Sequence, residues 1–197
     1  MKYSRIFTLL SLVFALGCTK TDTPPNQEIG VFPNQIGNKW LYLFRQDAPA
    51  IQDTVSIEIV DQIIEDGDTL KAWQRTFSHY NDGQQDTFWV SIVQDSVFFY
   101  PDIYRTWKEK AFVFPLQNGQ SWEYALQTAN VMDEIAVEVP AGSFEAWQVE
   151  LNAIGPNYGL LDQKWFVPEL GLVKWTRSER NLGPAILQEY ELIDYQH

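Results

Sequence analysis

The feature that most constrains the fold is a duplication inside the chain. Phe32-Pro33-Asn34-Gln35-Ile36-Gly37-Asn38-Lys39-Trp40-Leu41-Tyr42 recurs, without a gap, as Phe114-Pro115-Leu116-Gln117-Asn118-Gly119-Gln120-Ser121-Trp122-Glu123-Tyr124. Phe, Pro, Gln, Gly, Trp and Tyr keep their places, and several of these are rare residues. Ala72-Trp73-Gln74 returns as Ala146-Trp147-Gln148, and Asp86 and Trp89 return as Asp162 and Trp165. Self-similarity of this kind means one supersecondary unit used twice. Two copies are too few for a solenoid and suit two halves of one sheet or two facing sheets. Repeat one covers about 31–100 and repeat two about 114–194. Matched Trp residues (Trp40, Trp73, Trp89, Trp122, Trp147 and Trp165) are read as matched core positions.

Strand signals fill both copies. Val55, Ile57 and Ile59 alternate with Ser56, Glu58 and Val60; Ile135, Val137 and Val139 alternate with Ala136 and Glu138. A period of two puts alternate residues on opposite faces of a strand. Glu65-Asp66-Gly67-Asp68, Asn81-Asp82-Gly83 and Pro140-Ala141-Gly142 punctuate the runs as hairpin turns. After the first turn of each copy the phase conflicts: Trp73 and Phe77 oppose Leu70 and Ala72, while Trp147, Val149 and Leu151 oppose Phe144 and Ala146. That conflict predicts a bulge, or a strand covered on both sides. Ten or eleven strands are expected, with one short helical turn in Pro101–Val113. The fold class is therefore all-β and antiparallel, built from two tandem β repeats.

The first residues are of another kind. Lys2 and Arg5 precede an apolar run, Ile6 to Gly17, and Cys18 closes it. Twelve residues are too few to span a bilayer, which takes roughly 20; a charged start and a short apolar core make a secretory signal. Ala15-Leu16-Gly17-Cys18 resembles the lipobox of bacterial lipoproteins, with Ala15 and Leu16 standing where that family usually has Leu and a small residue. The resemblance implies cleavage before Cys18 and acylation of its thiol. Several acyl chains anchor stably where one holds weakly. Thr19 in place of Asp after the cysteine resembles outer-membrane sorting. The expected organisation is a signal peptide at 1–17, a lipidated Cys18 with a polar, Pro-containing tether over 18–30, and one domain over 31–197.

Composition excludes several classes. The whole chain carries −12, and losing Lys2 and Arg5 with the signal makes the mature chain two charges more acidic. Such a surface repels phosphate backbones, which argues against nucleic acid as a partner. Cys18 is the only cysteine, so the domain rests on its apolar core with no disulfide. Eight Trp, nine Tyr and twelve Phe supply that core, each burying on the order of 150–250 Å².

A second resemblance covers mainly Phe114 to Trp175. Phe114-Pro115 … Gly119 … Trp122 … Tyr124, then Val139-Pro140-Ala141-Gly142-Ser143-Phe144, then Trp165-Phe166-Val167-Pro168 … Gly171-Leu172-Val173-Lys174, resembles a group of uncharacterised exported lipoproteins. The likeness implies an all-β fold, an antiparallel sheet curved into a half-barrel or clam, distantly like the periplasmic lipoprotein carriers, and implies no activity.

No catalytic set emerges. The two histidines, His79 and His197, stand in no triad pattern and are too few for zinc. Glu65, Asp66 and Asp68 lack the alternation of a calcium loop and read as a solvated turn. Asp86 and Asp162 are matched by the repeat and could face each other as a glycosidase pair; as strand-start residues they need no such role. Tyr104, Trp107 and Tyr158, on segments outside the matched motifs, are the ligand candidates. No enzyme, cofactor or metal is expected. The expected partners are a membrane, through the acyl chains on Cys18, and an apolar ligand or an envelope protein; a glycan hydrolase is the third reading.

Overall fold

The computed structural model describes residues 32–101, 104–124, 127–154, 158–181 and 183–197; the signal, Cys18 and the tether lie outside them. The described residues form β1 (Lys39–Asp47), β2 (Ala50–Glu65), β3 (Asp68–Phe77), β4 (Gln85–Val93), β5 (Ser96–Tyr100), β6 (Glu109–Val113), β7 (Ser121–Tyr124), β8 (Gln127–Val139), β9 (Gly142–Ile154), β10 (Tyr158–Val167), β11 (Gly171–Asn181) and β12 (Ile186–Gln196). All belong to one antiparallel sheet in the order β6-β5-β4-β3-β2-β1-β12-β11-β10-β9-β8-β7. Two six-stranded meanders are thus joined by the β1–β12 ladder, from Lys39 opposite Gln196 to Gln46 opposite Gln188.

The sheet curls until its two edges, β6 and β7, meet. Among the described residues no backbone ladder closes that seam. Side chains bridge it: Trp122 Nε1 donates to Lys110 O at 2.8 Å, Gln120 Nε2 to Val113 O at 3.2 Å, and the Tyr124 hydroxyl to the Glu109 carboxylate. The result is a nearly closed barrel, more complete than a half-barrel. Edges are hazards because their unpaired N–H and C=O groups template foreign pairing; short strands and near-closure protect these two.

The matched motifs start the two halves alike. Gly37 N donates to Ile59 O at 2.8 Å, as Gly119 N does to Val131 O at 3.0 Å. Both glycines have positive φ, 93° and 75°, a conformation that costs glycine little. The paired indoles and phenols then cross to the opposite half. Trp40 Nε1 donates to Leu170 O at 2.7 Å and Tyr42 Oη to Leu172 O at 2.9 Å, the counterparts of the Trp122 and Tyr124 bonds across the seam. This is likeness of geometry; descent from one duplicated unit is a reading of the sequence.

Four local expectations are corrected in whole or in part. Pro101–Val113 holds no helical turn among its described residues, and β6 occupies 109–113 instead. Asn81-Asp82-Gly83 does lie in the β3–β4 hairpin connection, with Asp82 and Gly83 at positive φ, but as the end of a 3-10 turn, Tyr80–Asp82, not as a tight two-residue turn. The phase conflict in β3 is that of a strand covered on both sides, with Leu70, Lys71, Ala72 and Trp73 all buried, and the bulges fall on the partner strands, between Ile59 and Asp61 in β2 and between Val131 and Glu134 in β8. Of the matched tryptophans, Trp40, Trp73 and Trp122 are buried, whereas Trp89, Trp147 and Trp165 are half-buried. Trp89 has the Arg105 guanidinium 5.1 Å from its ring, and Arg105 pairs with Glu65 at 2.7 Å. That reach lays the β5–β6 connection across β4 to the tip of the β2–β3 hairpin. The tip is a two-residue turn as expected, with Asp66 and Gly67 both at positive φ.

The core is aromatic. Phe32 packs among Trp73, Phe112, Phe114 and Phe166 at centroid distances of 5.8 to 6.2 Å, and plugs the end of the barrel where the odd-numbered strands begin. At the opposite end Phe44, Phe77, Tyr80 and Tyr190 cluster. Asp53 fastens the 3-10 turn there. Its carboxylate accepts from Thr54 N (2.8 Å), His79 N (2.9 Å) and Tyr80 N (2.8 Å), with His79 Nδ1 at 3.1 Å. Burial pushes this carboxyl up, but the Tyr80, His79 and Thr54 N–H groups outweigh it and hold it at about 2.

Candidate functional site

Between these two plugs the barrel is not filled. A cavity of about 290 Å³ lies inside it, at the lower end of the roughly 300–1,000 Å³ typical of small-molecule pockets. Its floor is apolar: Phe32, Pro33, Trp40, Trp73, Phe88, Phe99, Phe112 and Leu172. Trp40 and Trp73 stack at 5.0 Å and 7°. Gly171 also lines the floor, at φ 103°; a Cβ there would stand 3.2 Å from Pro33 Cγ and 3.4 Å from Trp40 Nε1. Only glycine lets the β10–β11 turn and the Trp40 indole approach so closely.

The rest of the wall is charged. Arg75, Asp86, Glu109, Asp162, Lys164 and Arg177 all line the cavity. Strand alternation puts them there. Arg75 is two residues from Trp73 and from Phe77, so it shares their inward face; Asp162 and Lys164 lie in phase with Leu160 and Phe166; Arg177 follows Val173 and Trp175. Antiparallel register sets Arg75 opposite Asp86 and Asp162 opposite Arg177. Arg75, Asp86, Glu109 and Arg177 sit on the parts of their strands remote from the Phe32 plug, so the cavity is apolar at one end and polar toward the other.

Each carboxylate is engaged. Arg75 grips Asp86 through Nε at 3.1 Å and Nη2 at 2.5 Å. Asp162 Oδ1 accepts from Lys164 Nζ at 2.7 Å and Trp175 Nε1 at 2.9 Å; both side chains of this ion pair are largely buried, at 4% and 12% exposed. Glu109 accepts from the Tyr124 hydroxyl, and burial first, then that carboxylate, pushes the phenol pKa up. Lys164 Nζ lies 5.5 Å from the Tyr124 ring and 5.9 Å from that of Trp175, within reach of a cation–π attraction. Arg177 pairs with Glu179 at 2.8 Å.

Asp86 and Asp162 thus do line one cavity, but each is clamped by a cation of its own. The ligand candidates fare differently. Tyr104 is 78% and Trp107 49% exposed, and Tyr158 is half-buried against the core; none of the three lines the cavity. Glu65 is taken up by Arg105. Among the described residues no group of three His, Cys, Asp or Glu could hold a metal ion. Arg75, Lys164, Arg177 and Glu109 escaped sequence reasoning, because alternation assigns charges to the wet face. The available signal was a charge in phase with buried aromatics, as in Trp73-x-Arg75-x-Phe77.

No family model and no curated protein matches this chain. Two solved structures share its fold. One is a presumed exported protein with a YmcC-like fold from Bacteroides fragilis, 13% identical, with a TM-score of 0.58 over 85% of this chain and 99% of that one. The other is a presumed lipoprotein from Parabacteroides distasonis, 10% identical, with a TM-score of 0.57 over 84% and 98%. At these identities the likeness is one of architecture, and function has to be argued from the site.

Proposed function

We propose that this chain is a lipoprotein of the bacterial cell envelope, tethered through acyl chains on Cys18, that binds a small molecule inside its barrel without transforming it. The observation that carries the binding role is the cavity of about 290 Å³ with an aromatic floor and a charged wall. Exported location is supported by the Lys2–Cys18 signal and by the descriptions of the two structures of like fold. Outer-membrane placement rests on Thr19 alone. The absence of chemistry is supported by the engaged state of Asp86, Asp162 and Glu109. A glycosidase needs a carboxyl free to reach the glycosidic oxygen, whereas Asp86 is held by Arg75, Asp162 by Lys164 and Trp175, and Glu109 by the Tyr124 hydroxyl.

The cavity modifies the idea of a purely hydrophobic ligand. Six charged side chains would be left partly unsatisfied by a hydrocarbon, and burying polar groups without partners is costly. The volume is also small for a diacyl lipid. Docking of an envelope protein is the second reading. It is favoured by Ile64 and Tyr104, each 78% exposed, on either side of the Glu65–Arg105 pair.

Native mass spectrometry of the domain from Thr19 onward, isolated from an envelope extract without detergent, tests the binding role. A retained small mass, released on denaturation and lost in an Ile57→Trp variant that fills the cavity from the inward face of β2, is the expected result. A uniformly bare protein under the gentlest conditions would shift weight to the docking reading.

A further inference from the structure

The cavity wall differs in charge from the rest of the molecule. The chain carries −12 overall, yet the wall presents three cations, Arg75, Lys164 and Arg177, and three carboxylates, Asp86, Glu109 and Asp162. These charges are interleaved. Asp162 and Arg177 are cross-strand partners, Lys164 bonds Asp162, and Arg75 bonds Asp86. A bound ion would upset that balance in a partly dehydrated site, where an uncompensated charge costs several kcal/mol. A group without charge would not.

The wall nonetheless has unused hydrogen-bonding capacity. An ammonium has three donors, and among the described residues Lys164 Nζ uses one, on Asp162 Oδ1. The same carboxylate takes both its bonds, from Lys164 and Trp175, on Oδ1, leaving Oδ2 open. A hydroxyl donates and accepts, so it serves both kinds of vacancy. Beneath the charged part lie only ring and aliphatic surfaces, Phe32, Trp40, Trp73, Phe88 and Phe112 among them.

On the binding role proposed above, we infer that the cavity selects a small amphiphile with no net charge, its apolar end on the aromatic floor and a hydroxyl-bearing head against Asp162, Lys164 and Arg177. The class is that of a short-chain glycoside, not of a fatty acid or an alkylamine.

The test uses three probes with one tail: octyl β-glucoside, octyl sulfate and octyltrimethylammonium. Each is titrated calorimetrically, below its micelle concentration, into the domain from Thr19 onward. The glucoside is expected to bind at least about tenfold more tightly than either ion, a difference of ~1.4 kcal/mol, and to lose binding in Ile57→Trp. Lys164→Met leaves the wall with an unmatched negative charge and should move the preference toward octyltrimethylammonium by about tenfold or more. Arg177→Met makes the same charge change at a more exposed side chain, should Lys164→Met not fold. Equal or tighter binding of either ion by the wild type overturns the inference and leaves the cavity as a binding site. Binding that survives Ile57→Trp places the probe elsewhere and overturns it too. If no probe binds, the binding role fails and this inference with it.

Discussion

Replacing Asp53 by Asn keeps the shape of the side chain and removes its ability to accept at both oxygens. In the folded chain Oδ1 takes Thr54 N and Oδ2 takes His79 N and Tyr80 N. Whichever way the amide is turned, its NH₂ faces at least one backbone donor. One or two buried N–H groups lose their acceptor, at roughly 1–3 kcal/mol each, and the surviving bond drops from charge-assisted to neutral strength. The expected loss is about 3 kcal/mol, or a Tm lower by about 6–12 °C for a domain of this size. The pH dependence supplies a second reading. The carboxyl is held at about 2 in the folded chain against an ordinary value of 3.8. Its stabilisation is therefore complete above about pH 4 and fades as pH falls toward 2. Urea midpoints of wild type and Asp53→Asn at pH 7, 4 and 3 should differ fully at the first, almost as much at the second, and by clearly less at the third, where about half of the pH-dependent part is gone. A Tm change under about 2 °C at pH 7, or a gap that stays constant to pH 3, would refute the reasoning. Because Asp53 fastens the turn carrying Tyr80, hydrogen exchange in 78–84 should quicken in the variant.

Breaking the buried Asp162–Lys164 pair with Asp162→Leu should cost about 3–5 kcal/mol, whereas Asp162→Leu with Lys164→Met should recover most of it; chemical denaturation of the three variants decides. Phe44→Ala, at a side chain 1% exposed and 4.8 Å from Tyr190, should lose about 3–5 kcal/mol in the same assay. Gly171→Ala should destabilise by about 1–3 kcal/mol, since Pro33 and Trp40 block the added Cβ and φ disfavours it; unchanged stability would show that the turn relaxes freely. Cys18→Ser should release the chain from the membrane fraction, measured by fractionation of the expressing cells.

The legible parts of this fold were those specified by neighbours in sequence. Asp66-Gly67 specifies its own turn, and the alternation around Val55 and Ile59 specifies a half-buried strand. The segment Glu109–Val113 carries little alternation because a bulge opposite Val97 and Phe98 interrupts its pairing, so its strand character comes from β5. Ile135 looked buried by period but is 37% exposed, although Val137, in phase with it, is buried. The site was harder to see than the fold. Asp86 and Asp162 stood out through the repeat, but the cations that neutralise them are visible only once β3 pairs with β4 and β10 with β11. Closure of the barrel left no local trace, as nothing in Trp40 or Tyr195 announces that their strands pair.

That closure has a kinetic consequence. Among the described residues, each ladder joins strands adjacent in sequence except the one between β1 and β12, where Lys39 meets Gln196. Ten hairpins can zip locally, but bringing those two ends together costs on the order of 4 kcal/mol of loop entropy beyond a length-independent constant. Mixed folding of this kind is slow in proportion to its distant contacts. A circular permutant with His197 linked back to Phe32 and new termini in the 114–120 connection would turn the distant ladder into one more hairpin. Every remaining ladder would then be local, and the barrel should fold faster than the natural order of the chain allows.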